Sequence, residues 1–288
     1  MGMKIGLILA FIIIAPLIGG LLEGFDRVIT ARMQGRQGPP LLQPFYDLYK
    51  LLNKQSVVVN NVQDILVCGF LIFVVFAGAL FFWGGDLLLI FFALTLAEIF
   101  FIMSSCSANS PYSSMGAQRE LAQTMAYEPM ILLAAIGFYL ATGSFNVADV
   151  AASPVPSIVY LPGIFAGYVF ILTIKFRKSP FDLSSSHHAH QEMVRGLTTE
   201  LSGNILAMVS ITEWYENVLL LAVLGLFIFN GTWWGLLLAV AVCLICYFLE
   251  ILIDNVFPRV KWQTMLASAW TVTLITGGIN LMIMELIK

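Results

Sequence analysis

Eight apolar stretches, each 17 to 29 residues long, divide this chain: Ile5–Leu22, Ile65–Trp83, Leu87–Cys106, Ala117–Thr142, Ile158–Ile174, Leu201–Phe229, Trp233–Leu249 and Thr264–Met284. A helix needs about 20 mostly apolar residues to cross the hydrocarbon core of a bilayer. In lipid the backbone must satisfy its own hydrogen bonds, so such runs fold as helices. Composition agrees over the whole 288 residues. The chain is 59% hydrophobic and only 11% charged, where a soluble domain carries about 25% charged residues. The expectation is an all-α integral membrane protein, one membrane domain over residues 1–288, with eight transmembrane helices. Lys4 and the first run resemble a signal peptide, but residues 16–23 offer no small-x-small cleavage site, so the run is read as a retained helix.

The basic residues sort by side. Twelve of the 14 fall at one set of loops and span ends; only Lys4 and Lys288 fall at the other. The positive-inside rule makes the rich side cytoplasmic, with both termini outside, in a cell membrane. The basic residues are few and sit beside membrane spans, which excludes a nucleic-acid partner and leaves the lipid bilayer as the surrounding medium. The four cysteines lie in or beside apolar runs and read as small buried residues. Cys243-x-x-Cys246 on a membrane helix has no further Cys or His nearby in sequence to complete a metal or iron–sulfur site. Internal repeats are not visible, which argues against a transporter built from inverted halves.

The polar character is concentrated in the cytoplasmic loops. Between spans 1 and 2, Gly35, Gly38 and Pro39-Pro40 break regular structure. Apolar residues then recur at helical spacing from Leu41 to Leu52, with Asp47, Lys50 and Lys54 among them. That pattern predicts a short amphipathic helix lying on the membrane surface. Arg36 precedes it. The next inner loop leads into span 4 through Arg119 and Glu120, with Ser113 or Ser114 as candidate helix caps. The third, between spans 5 and 6, reads KFRKSPFDLSSSHHAHQEMVRG. It holds Lys175, Arg177, Lys178, Asp182 and Glu192, and all three histidines, His187, His188 and His190; Glu200 follows. Lys175, Arg177 and Lys178 also fit an ordinary positive-inside cluster. The histidine spacing is poor for chelation on one helical face and lacks a fourth ligand, so it suits partner docking or proton handling better than a metal.

Carboxylates also lie inside the spans: Glu98 in span 3, Glu128 before Pro129 in span 4, Glu213 and Glu216 midway along span 6, and Glu250 and Asp254 at the inner end of span 7. A charge at the bilayer centre costs at least about 2.5–3.5 kcal/mol on insertion scales. Glu213 and Glu216 are spaced i, i+3 and share a face. Two readings stand. The acids are structural, hydrogen-bonded to neighbours such as Thr124, Tyr127, Asn204, Thr212 or Asn217. Alternatively they form a hydrated proton path reaching inward from the cytoplasmic face.

The segments GRQGPPLLQPFYDLYKLLNK, PYSSMGAQRELAQTMAYEP, SPFDLSSSHHAHQEMVRGLTTELSG and DNVFPRVKWQTMLASAW resemble the H-subunit family of respiratory complex I and its hydrogenase relatives. The resemblance runs from about Glu23 to Trp270 and implies the same eight spans plus a surface helix. The quinone-reducing branch typically has an acid-rich loop around its PFDL core. Here that loop is basic before the core and histidine-rich after it, a form that resembles the membrane subunits of energy-converting, Ech-type nickel–iron hydrogenases and formate hydrogenlyases. The resemblance implies a non-catalytic anchor and coupling subunit of a ferredoxin-linked hydrogenase that moves protons or sodium ions. Its partners would be the large and small hydrogenase subunits, a ferredoxin-like iron–sulfur subunit and an antiporter-like membrane subunit. The nickel–iron centre and iron–sulfur clusters would sit in those partners and no cofactor in this chain. The inner loops would then be the docking and coupling surface. Two alternatives remain: the quinone-site subunit of a complex I-like NADH or F420H2 dehydrogenase, and a stand-alone transporter or plain anchor.

Overall fold

A computed structural model describes residues 2–55, 60–185 and 195–287. His187, His188, His190 and Glu192 lie outside the described residues. Among the described residues the structure is helical throughout, and its one β-bridge, Asp86 with Asn146, is isolated. Among the described residues seven helices are long and apolar enough to cross a membrane: α1 (Gly2–Met33), α3 (Asn61–Trp83), α4 (Leu87–Cys106), α5 (Pro111–Thr142), α8 (Gly203–Leu226), α9 (Trp233–Val256) and the last segment from Trp262. An eighth, α7 (Pro162–Lys175), has 14 residues, about 21 Å at 1.5 Å per residue. It is too short to cross alone, and a 3₁₀ turn at Ser157–Val159 precedes it. α6 (Val147–Ala151) is a single turn. The last segment is α10 (Trp262–Val272), a π-helical turn (Thr273–Gly278) and α11 (Ile279–Ile287).

The expected surface helix is α2 (Gln43–Leu52). It presents Tyr46, Tyr49 and Leu52 outward and seats Phe45 on Trp214 of α8, with ring centroids 5.3 Å apart. Elsewhere the helix ends follow local chemistry. Asn60 caps α3 by accepting from the Val62 N–H, Asp86 caps α4 by accepting from Leu88 at 2.7 Å, and Thr232 caps α9. Gly84 and Gly143 close α3 and α5 at φ 82° and 79°, where a side chain would strain the backbone. α5 starts at Pro111 with Ser110 as its N-cap residue, and the Ser113 hydroxyl donates instead to the Ser105 carbonyl. α5 also runs unbroken through Pro129.

Packing inside the bundle is aromatic and close. Phe70 stacks on Phe101 at 4.8 Å and Phe73 on Phe100 at 5.3 Å, joining α3 to α4. In lipid there is no hydrophobic drive between helices, so such van der Waals fit holds the bundle. The outer faces of α1 and α9 expose Ile13, Leu17, Trp233, Trp234 and Leu237, as a lipid-facing surface does.

The largest departure from expectation is α1. The apolar run ends at Leu22, yet the helix continues to Met33. An apolar window measures depth in lipid, not helix length. The extra turns carry Glu23, Asp26 and Arg27 into the inner end of the bundle. At the opposite end the Lys4 ammonium lies 5.7 Å from the Trp83 ring.

Candidate functional site

Segment 176–185, leaving α7, folds into the inner mouth of the bundle and is held there by several elements. Ser179 N–H donates to Asp254 at 2.7 Å, Gln123 Nε2 to the Phe181 carbonyl at 2.6 Å, and Val260 N–H to the Pro180 carbonyl at 3.1 Å. Arg119 and Arg259 both reach the Leu183 carbonyl. Phe181 and Leu183 are buried. The Ser179–Pro180 peptide is cis. This seating places three cations inside the protein. From the sequence Lys175, Arg177 and Lys178 belong to a docking and coupling loop or to an ordinary positive-inside cluster; the structure turns all three inward.

Lys175 is the deepest. Its ammonium pairs with Glu98 of α4 and with Glu216 of α8 at 3.1 Å, and lies 4.5 Å from the Tyr127 ring centroid. The Thr124 hydroxyl reaches Glu98 at 3.3 Å, and the Tyr127 hydroxyl donates to Thr124 at 3.2 Å. Arg177 bridges two helices. Its Nη1 donates to Glu213 of α8 at 2.6 Å, and its Nε and Nη2 donate to one oxygen of Glu120 of α5 at 3.2 and 2.9 Å. Burial works against its charge, but the carboxylates of Glu120, Glu213 and Glu216 hold its pKa above that of an ordinary arginine. Its φ of 50° is left-handed, a conformation that side chains other than glycine adopt at a cost. Lys178 pairs with Asp26 of α1 at 2.7 Å, 5.2 Å from the Tyr247 ring centroid.

Two more links complete the mouth. Glu23 accepts from Arg27 and from the Trp214 indole, both at 2.5 Å, and Arg27 reaches Asp47 of α2 at 2.8 Å. Apart from Glu98, Glu120, Thr124 and Tyr127, these groups wall a cavity of about 530 Å³ in which 14 of the 27 lining residues are charged. Side-chain exposure rises from 5% at Glu98 through 9% at Glu216 to 37% at Glu213, so the acids form a graded line from the interior to the cavity.

The innermost groups are unequal in charge. Three buried acids, Glu98, Glu120 and Glu216, together with Glu213 at the cavity, face two bases, Lys175 and Arg177. A desolvated excess of negative charge is costly. Bound protons or further cations relieve it, and a line of such acids can hand protons along.

Of the other expected residues, some join this site and some do not. Asp254 belongs to it through Ser179, and Asp182 lies 3.5 Å from Arg259 at its rim. Glu250 is fully buried on α9, and neither carboxylate oxygen has a hydrogen-bond partner among the described residues. Glu128 is half-buried on α5 and makes none of the contacts above. Arg36 is exposed, donating to Gln34. Glu200 borders a separate cavity of about 180 Å³ with Asn60, Gln63 and Asn109. Cys243 donates to the Leu221 carbonyl at 3.1 Å. Glu23, Asp26, Arg27 and Trp214 were missed from the sequence. Their signal was the i, i+3, i+4 spacing of the three charges directly after the first apolar run.

The sequence profile of the NADH dehydrogenase family matches residues 5–285. The chain is 28% identical to an H-type NADH-quinone oxidoreductase subunit of Syntrophobacter fumaroxidans, covering 97% of this chain and 93% of that one. It is 27% identical to formate hydrogenlyase subunit 4 of Escherichia coli, covering 85% and 90%, and 30% identical to hydrogenase-4 component C of the same organism, covering 69% and 67%. Its fold is similar to a chain in the structure of the membrane-bound sulfane sulfur reductase, an archaeal respiratory membrane complex. The TM-score is 0.82 at 22% identity, covering 99% of this chain and 100% of that one. The chain therefore belongs to the NADH dehydrogenase family, as a multi-span membrane subunit of the group that joins the H-type subunits of complex I to their hydrogenase relatives.

Proposed function

We propose that this chain is the membrane anchor and coupling subunit of an energy-converting, ferredoxin-linked nickel–iron hydrogenase. One observation carries the reading: the 176–185 segment and the end of α7 place Lys175, Arg177 and Lys178 among carboxylates from α1, α4, α5 and α8. A displacement of this segment by a docked partner would redistribute four acids over two bases, and so load or release protons. The soluble hydrogenase and iron–sulfur subunits would bind at this mouth and hold all the redox centres. An antiporter-like membrane subunit would receive the charge movement. Segments 34–42, 176–185 and 195–202 would face the cytoplasm. The same geometry suits protons directly and sodium ions by exchange.

A quinone-site role is the alternative, because a relative named as an NADH-quinone oxidoreductase subunit matches at nearly full length. Against it, half the residues lining the cavity are charged, whereas pockets for organic ligands are lined mainly by apolar groups.

The test is Glu216→Gln in the purified complex, reconstituted in liposomes. Glutamine keeps size and hydrogen bonding but holds no exchangeable charge. Assembly and subunit ratios should be unchanged, while ion uptake per hydrogen produced should fall, because the relay has lost a group that can take up and release a proton. Full coupling in that variant would reduce Glu216 to a structural counter-ion and remove the relay from the proposal.

A further inference from the structure

The last membrane segment is interrupted at one place, the π-helical turn Thr273–Gly278. Such a turn accommodates one extra residue, so everything after it is rotated by about 100° relative to an unbroken helix. Asn280, two residues beyond the turn, thereby faces the start of α7. Its Oδ1 accepts from the Gly163 and Ile164 N–H groups, each at 3.1 Å, and its Nδ2 donates to the Tyr160 carbonyl at 3.1 Å.

α7 needs this outside help. A helix start leaves four N–H groups without partners, and in a membrane each one left unpaired costs several kcal/mol. Pro162 has no N–H, and the N–H of the N-cap residue Leu161 reaches the Ser157 carbonyl at 2.9 Å. The two that remain are the two Asn280 takes. The residue at the N-cap position, Leu161, has no oxygen in its side chain to offer. The seam is held close by glycine. A Cβ on Gly167 would lie 2.5 Å from Thr276 Oγ1, and one on Gly163 would lie 3.0 Å from Asn280 Cβ.

The far end of α7 is Lys175. Thirteen residues after Pro162 it enters the charge cluster, and the chain turns left-handed at Arg177 immediately after. α7 is thus a short rigid rod, fixed by the last span at one end and by carboxylates at the other. We propose that Asn280 is a positioning residue, which by capping α7 from the last span sets how far Lys175 reaches between Glu98 and Glu216. This rests on the relay reading given above. The charged and titratable groups that Lys175 meets are Glu98 on α4, Tyr127 on α5, Glu216 on α8 and Arg177 beyond its own helix, with Glu120 and Glu213 bound to that arginine.

The experiment compares Asn280→Leu, Asn280→Asp and Lys175→Met in the intact complex, reading the pH profile of ion-coupled turnover. Leucine removes both acceptor and donor; aspartate keeps the oxygen that both N–H groups need. An ångström of withdrawal at an ion pair of this length alters the coupling by an amount equivalent to about one pH unit. The pH midpoint should therefore move by about that much in Asn280→Leu, move further in Lys175→Met, which removes the charge altogether, and return toward the parent value in Asn280→Asp. A midpoint that moves in Lys175→Met but not in Asn280→Leu overturns this inference alone and leaves Asn280 a plain structural cap. A midpoint unmoved in both overturns the relay reading, and the inference with it. Should Asn280→Leu fail to assemble, Asn280→Gln takes its place. It keeps the amide but adds a methylene, which pushes α7 away, and an unmoved midpoint there overturns the inference equally.

Discussion

At the scale of single residues, Lys175 has the most to lose. Its side chain is 4% exposed and pairs with two acids on different helices. Removing one partner of a buried ion pair leaves charge uncompensated and costs about 3–5 kcal/mol. Lys175→Met should lower the melting temperature of the purified subunit by several degrees. Adding Glu98→Gln to it should restore part of the loss, because one stranded acid is then neutral. Thermal unfolding in detergent reads both, and a double variant no more stable than Lys175→Met would mean that Glu98 is not the stranded partner. The sequence made every one of these charges visible, since acids inside apolar runs stand out at once. It did not reveal their pairing. That Arg177 joins Glu120 to Glu213 depends on a left-handed residue and on the path of segment 176–185, and neither leaves a periodic trace.

Elements explain which parts of the fold could be read and which could not. α2 was legible because an amphipathic stripe records a one-sided environment, and the long spans were legible because lipid demands length. The inner half of α1 was not, because beyond Leu22 the helix leaves the apolar window and satisfies Glu23, Asp26 and Arg27 through other elements. The start of α7 was not, because its cap comes from Asn280, more than a hundred residues away. The tie between α1 and α2 has its own pH dependence. Burial raises the pKa of Asp47, but hydrogen bonds from Arg27 and Gln43, with the Arg27 and Lys50 charges, outweigh it and leave the net value below the ordinary 3.8. A lowered carboxylate stabilises the docked helix above the ordinary pKa and loses that contribution as pH falls through its own lower value. Asp47 is 40% exposed, so solvent screening keeps the effect under about 1 kcal/mol. Hydrogen exchange over residues 43–52, corrected for intrinsic rates, should accelerate below about pH 4. In Asp47→Asn it should already be faster at neutral pH and show no further acid step. An acid step of equal size in that variant would assign the release of α2 to some other group.

Over the whole molecule the two ends differ in kind. One end holds Lys4 beside Trp83, the Asp86–Asn146 bridge and Asp149, whose pKa is lowered by hydrogen bonds from Ser144 and Asn146. The other holds the cavity, α2, segment 176–185 and twelve of the 14 basic residues. The reading of eight spans, with the short α7 as one crossing, predicts that the two termini return to one side. α7 spans only about 21 Å by itself, and the 3₁₀ turn at Ser157–Val159 lengthens its path at the end away from Lys175. The positive-inside rule predicts from this asymmetry that the basic end faces the cytoplasm. Single cysteines at Lys54, Ser185 and Lys261, placed in a variant lacking Cys68, Cys106, Cys243 and Cys246, should react with a membrane-impermeant maleimide only in inverted vesicles. Cysteines at Asp86 and Asp149 should react only in right-side-out cells. If Ser185 labelled from outside while Lys261 labelled from inside, α7 would not complete its crossing, and the cavity could not face soluble redox subunits on the same side as the remaining basic loops. If all five positions reversed together, the fold would stand and the cytoplasmic docking of a hydrogenase would fall.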